Sequence, residues 1–199
     1  MTDNTSDREL VLTRLIDAPR EKLYRAWTDA ELLKQWFAPL PWTTPHAELD
    51  VRPGGAATIT MRSPDGNDMP CPGVYLEVVP NRRLVFTDAY TSAWQPSQKP
   101  FMTVILTFED EGGKTRYTAR VRHWTVADRE AHEKMGFHQG WGLCTDQLAA
   151  LAAPDFPCVE AALLRAGPAG QVWYSQAVPL RTALPAKHIK DERKFSLLA

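Results

Sequence analysis

The sequence predicts an α+β domain in which a curved antiparallel sheet of about six to seven strands wraps around one long C-terminal helix. Three observations carry that expectation. From Ala47 to Trp124 the chain runs in short alternating segments split by Gly, Pro, Asn and Asp, the pattern of an antiparallel sheet. Before it, a first strand is followed by two short helical segments. After it, Phe137, Trp141, Cys144, Leu148 and Leu151 recur at steps of four, three, four and three, which is one apolar helical stripe. A sheet must bury one face, and that stripe is the largest apolar surface available to cover it.

Each element has a local reason. Residues 1–8 are polar and read as a disordered lead. Glu9 to Asp17 alternates as a strand, with Leu10, Leu12 and Ile16 on one face and Arg14 interrupting. Asp17-Ala18-Pro19 opens a helix, because proline is preorganised for a first turn. Leu23, Ala26 and Trp27 share its face. Thr28 to Glu31 fits a capping box that restarts the chain as a second short helix, with Leu33, Trp36 and Phe37 apolar. Pro39 and Pro41 stop it.

The strands then follow. Ala47, Leu49 and Val51 alternate with charged residues, and Pro53-Gly54-Gly55 turns the chain into Ala56–Arg62. Gly73–Val79 and Arg83–Asp88 are joined at Pro80-Asn81. Ala89–Pro100 reads as a long loop holding Trp94. Phe101–Glu109 and Thr115–Trp124 form the strongest hairpin, through Gly112-Gly113. Thr125 to Asp128 is a second capping box, opening a helix from about Asp128 to Ala152. Gly136, Gly140 and Gly142 are unexpected there, each costing roughly 1 kcal/mol against Ala. Pro154 ends the helix, and residues 154–199 form an atypical Pro-rich tail, expected to be poorly ordered, with Glu160 to Arg165 a helical turn or two.

Composition narrows the function classes. The chain has 199 residues, 44% hydrophobic and 24% charged, with a net charge of −1. No global basic field is present to hold nucleic acid. The longest apolar run, Leu148 to Ala153, falls far short of the about 20 residues of a membrane span. The acidic, polar N-terminus does not read as a secretory signal. Cys71, Cys144 and Cys158 show no metal or redox spacing, and are expected as reduced thiols in a cytoplasm. No nucleophile elbow, phosphate loop or dinucleotide fingerprint occurs. His132, Glu133 and His138 lack the four-residue histidine spacing of a zinc helix, and are expected on a solvated surface. Cys144 is expected as a packed thiol, and the basic cluster Lys187, His188, Lys190, Arg193 and Lys194 as a solvated end. No cofactor or metal is implied.

Several motifs carry a resemblance. Ala18-Pro19-Arg20-Glu21, Ala26-Trp27-Thr28-Asp29 and Trp36-Phe37-Ala38-Pro39 occur in order. Asp50 to Gly55, Gly73-Val74-Tyr75, Arg83 to Thr87, and Gly140-Trp141 with Leu148 follow. Over residues 9–153 the chain resembles the SRPBCC (START-like, helix-grip) superfamily, in the branch similar to the C-terminal domain of the activator of the ninety-kilodalton heat-shock-protein ATPase. That resemblance implies a helix-grip fold. It says little about chemistry, because the superfamily includes lipid carriers, hormone receptors, cyclases and co-chaperone modules. Two departures stand out: Thr145 replaces a frequent Leu, and the tail after Pro154 matches nothing in the pattern.

A curled sheet gripping one helix leaves a cavity unless large side chains fill it. The expected ligand-binding residues are Trp36, Phe37, Tyr75, Tyr90, Trp94, Phe101, His123, Met135, Phe137 and Trp141, with Ala89–Pro100 as a gate. The resulting expectation is a binder of a small apolar or aromatic molecule, monomeric or homodimeric. One alternative is a cyclase- or dehydratase-like enzyme in which His123 moves protons; otherwise His123 is a satisfied core histidine. The other is a co-chaperone-like interaction module.

Overall fold

The computed structural model describes residues 5–92 and 94–153. Strand β1 spans Glu9–Ile16, helix α1 Arg20–Thr28 and helix α2 Ala30–Leu33. Strands β2 (Thr43–Leu49), β3 (Ala56–Arg62), β4 (Asp68–Val79) and β5 (Arg83–Thr87) follow. A small hairpin of β6 (Tyr90–Ser92) and β7 (Gln95–Pro96) precedes β8 (Met102–Glu111) and β9 (Lys114–His123). Helices α3 (Val126–Lys134) and α4 (Phe137–Ala152) complete the described chain. Seven strands make one antiparallel sheet in the order β1-β9-β8-β5-β4-β3-β2.

Register explains which side chains meet. Gly112 and Gly113 take φ of 64° and 88°, a geometry open to glycine, and set the β8–β9 turn. Val104 then lies opposite Val121, Leu106 opposite Ala119 and Phe108 opposite Tyr117. Strand β1 extends the same face with Leu10 and Leu12. Helix α4 packs on α1 and β1, so Leu23, Trp27, Phe137 and Leu148 join these residues in one core. This is the helix-grip architecture expected from the sequence.

Four local expectations are corrected. The long helix is two helices, because Gly136 adopts φ 97° between them and turns the axis. The loop at 89–100 contains the β6–β7 hairpin, with Trp94 at φ 63° between its strands. The cap of α2 is Asp29, whose Oδ1 accepts from the N–H groups of Glu31 and Leu32; the Thr28 hydroxyl instead donates to Tyr24 O. Strand β4 starts at Asp68, not Gly73, and holds Pro70 and Pro72 where it pairs only with β3. Proline is tolerated there because that edge needs no donor. The Thr125–Asp128 capping box forms as expected. The tail 154–199 lies outside the described residues.

Candidate functional site

Helix α1 and the segment after α2 build one wall. Trp27 sits one turn after Leu23 on the buried side of α1. The Trp36 indole N–H donates to Ala26 O at 3.1 Å, and its ring meets Trp27 edge-on at 4.6 Å. Phe37 packs edge-on to both. Helix α4 then pins this segment. The Gln147 amide donates to Trp36 O at 2.7 Å and to Ala38 O at 2.9 Å, and its oxygen accepts from Leu40 N–H at 3.0 Å. The Cys144 thiol donates to Phe37 O.

Between this wall, α4 and the sheet lies a cavity of about 80 Å³. Helix α4 contributes Gly140, Trp141, Cys144 and Thr145. The sheet contributes Met61 from β3, Phe86 from β5, Met102 from β8 and Tyr117 from β9. Trp27, Trp36, Phe37 and Pro39 close it. No charged side chain lines it. Burial pushes the Cys144 thiol up to about 12 and also raises Tyr117, so both stay neutral. The Trp27 indole N–H is buried and has no hydrogen-bond partner; it faces the Tyr117 hydroxyl without reaching bonding geometry.

A second buried cluster sits beyond Phe137. His123 on β9 and His132 on α3 approach at 2.8 Å, Nε2 to Nδ1. His123 Nδ1 lies 3.1 Å from Arg8 O. A carbonyl only accepts, so His123 Nδ1 carries hydrogen, its Nε2 accepts, and His132 Nδ1 donates. Phe101 and Phe137 pack around the pair at 5.1–5.3 Å. His132 is 1% exposed. Burial, then the neighbouring His123, lowers its pKa to about 4. The solvated surface expected for His132 is therefore wrong. The helix break at Gly136 turns its side chain inward, which helical spacing through residue 138 could not anticipate.

Of the ten expected site residues, the structure brings Trp36, Phe37 and Trp141 to the cavity. Phe101, His123 and Phe137 belong to the histidine cluster. Tyr75 stands one layer behind, edge-on to Phe86 at 6.3 Å. Tyr90 and Trp94 pack on each other, and Trp94 lies over Gly54 in the β2–β3 turn, where a Cβ would come within 3.4 Å of its ring. Met135 is the C-cap of α3 and does not line the cavity. Sequence reasoning missed Trp27 and the sheet residues Met61, Phe86, Met102 and Tyr117. The shared face of Tyr117, Ala119 and Val121 was the available signal, but not which face α4 covers. Among the described residues, no three His, Cys, Asp or Glu side chains gather to hold a metal ion.

Residues 17–153 match the family described as Activator of Hsp90 ATPase homolog 1-like protein. The chain belongs to this AHSA1 family. A Nitrosomonas europaea protein of known crystal structure is 35% identical, covering 80% of this chain and 98% of that one, with a TM-score of 0.71. A Chromobacterium violaceum protein is 26% identical over 74% of this chain and 99% of its own, with a TM-score of 0.62. The AHSA1-like protein of Aeromonas hydrophila shares the fold at 21% identity, over 82% of this chain and 99% of that one, with a TM-score of 0.55. No curated protein matches the chain. In this AHSA1 domain every cavity-lining residue falls within the matched span, which ends as α4 ends. Among the described residues, no helix is long and apolar enough to cross a membrane.

Proposed function

We propose that this AHSA1-family protein binds a small, largely apolar molecule between α4 and the sheet. The observation that carries this reading is the unfilled cavity walled by Trp27, Trp36, Phe37, Phe86 and Trp141. Apolar cavities with few convergent polar groups are the usual small-molecule sites. The size bounds the ligand. A cavity of about 150 Å³ holds benzene, so about 80 Å³ admits a ring only if the walls give. Met61 and Met102, unbranched and adaptable, are the wall members suited to that. Turnover by His123 is disfavoured, because both its ring nitrogens are engaged and it does not line the cavity.

Native mass spectrometry of the gently purified full chain tests the reading. The expected result is a bound small molecule of constant mass. Thr145→Leu, which places a larger apolar side chain against the cavity, should purify folded and without that mass. An apo mass for the unsubstituted chain, persisting when small aromatics are added, would overturn the proposal.

A further inference from the structure

The cavity leaves two polar side chains without acceptors, and they lie together. Tyr117 is 1% exposed and lines the cavity; its hydroxyl oxygen faces the Trp27 indole, and its hydrogen is donated to no described residue. Trp27 is 4% exposed, and its indole N–H has no partner. Such groups are normally paired when buried, since leaving them unpaired forfeits the hydrogen bonds water would make. The other polar groups of the wall are used. The Thr145 hydroxyl donates to Trp141 O at 2.7 Å, the Cys144 thiol to Phe37 O at 3.2 Å and the Trp36 indole to Ala26 O at 3.1 Å.

We infer that the ligand is an uncharged ring compound carrying one hydrogen-bond acceptor, which the Tyr117 hydroxyl receives as donor, with the Trp27 indole N–H behind it. This rests on the cavity-binding reading above and deepens it. Direction follows from donor arithmetic. The Trp27 N–H faces the Tyr117 oxygen, so the phenol is best used as acceptor from Trp27 and donor to a ligand. A hydrogen-bond chain of that sense strengthens each member. A ligand donor would compete with Trp27 for the same oxygen. The absence of charge follows from the walls. No Lys, Arg or His lines the cavity, so a carboxylate or phosphate would be desolvated with no counterion. The burial that holds the Cys144 thiol neutral acts the same way on a ligand acid. A ketone, aldehyde, ether or pyridine-type nitrogen on a flat ring meets these demands.

Benzene and pyridine differ by one ring atom, and pyridine is uncharged at pH 8. Each is titrated into the full chain and into Tyr117→Phe, followed by amide chemical shifts. The thermal midpoint of each protein is recorded alongside. Tyr117→Phe removes a hydroxyl that donates to no described residue, so it should fold as before. The expected result is a three- to tenfold weaker pyridine affinity in Tyr117→Phe with benzene unchanged, the range for one neutral hydrogen bond. Benzoate should not bind where pyridine saturates. Equal effects of Tyr117→Phe on both probes, or benzoate binding as tightly as pyridine, would overturn this inference while leaving the cavity reading standing. If neither benzene nor pyridine binds the unsubstituted chain, the cavity reading falls and this inference with it.

Discussion

Phe137 divides two buried clusters that treat polar groups in opposite ways. On one side it packs against His132, where both ring nitrogens of His123 and Nδ1 of His132 have partners. On the other it packs against Trp141, at the edge of a cavity where the Trp27 indole N–H is unpaired and the Tyr117 hydroxyl donates to no described residue. The first cluster is joined by a direct hydrogen bond between its histidines, and His123 also borders a separate pocket with Arg8, Thr103, Arg122 and Trp124. The second is apolar, partly empty and left with spare donors. Neighbouring parts of one core, built from similar aromatic side chains, thus divide into a histidine pair bonded to itself and an apolar cavity with an unpaired indole.

The comparison can be broken or sharpened by substitution. The largest effect is expected from Trp36→Ala. It removes a nearly fully buried indole and its bond to Ala26, and should cost about 3–5 kcal/mol in urea unfolding. Next is acidification. His132 titrates near 6.5 when unfolded but at about 4 when folded, so the unfolded chain takes up the proton first. Stability is therefore full above pH 6.5 and is lost as pH falls toward 4, by on the order of 3 kcal/mol. His123, also lowered by burial, acts in the same sense. Asp88, raised chiefly by burial, acts in the opposite sense as pH nears 3.8. Glu9, held low by Arg120 and Arg122 despite its burial, adds to the loss below pH 4.5. Unfolding measured at pH 7.5 and pH 5 should show the fall in the natural chain. His132→Phe should flatten it, and an unflattened slope would remove His132 from the account.

A smaller effect is expected from Gln147→Ala. Three hydrogen bonds tie the Trp36–Leu40 segment to α4 through this one side chain, and their loss should cost about 2 kcal/mol. Amide hydrogen exchange should quicken at residues 37–40 more than in β8 or β9. The smallest is Tyr117→Phe, expected within about 0.5 kcal/mol of the natural chain or slightly more stable, since the hydroxyl donates to no described residue and the Trp27 indole facing it is itself unpaired by geometry. A loss above about 1 kcal/mol in thermal unfolding would show that the hydroxyl is satisfied after all, and would bring the two clusters closer in kind.

Legibility followed the range of the interactions. The β8–β9 hairpin was readable because Gly112-Gly113 and period-two alternation are local. The Thr125–Asp128 cap was readable because its partners are three residues apart. The α3–α4 break was not, because a glycine within a helical pattern is compatible with both a tolerated cost and a left-handed turn. The segment holding Trp94 read as a gating loop because two prolines and no clear alternation mark it. Its anchor is Gly54, some forty residues earlier, and only folding brings them together. Trp36, Phe37 and Trp141 were found because tryptophan and phenylalanine are conspicuous. Met61, Met102 and Tyr117 were not, because nothing local tells which face of a strand a distant helix will cover.

By itself the sequence determined the order of the elements, the alternation of each strand and the apolar stripe that α4 lays on the sheet. Those depend on backbone geometry repeating every two or 3.6 residues, which neighbouring residues impose on one another. The tertiary structure alone decided which aromatic side chains fill space and which border it, and that two histidines nine positions apart share one hydrogen while the buried Trp27 indole N–H is left unpaired. Those outcomes depend on sub-ångström differences in where distant elements come to rest, and no periodicity in the chain encodes them.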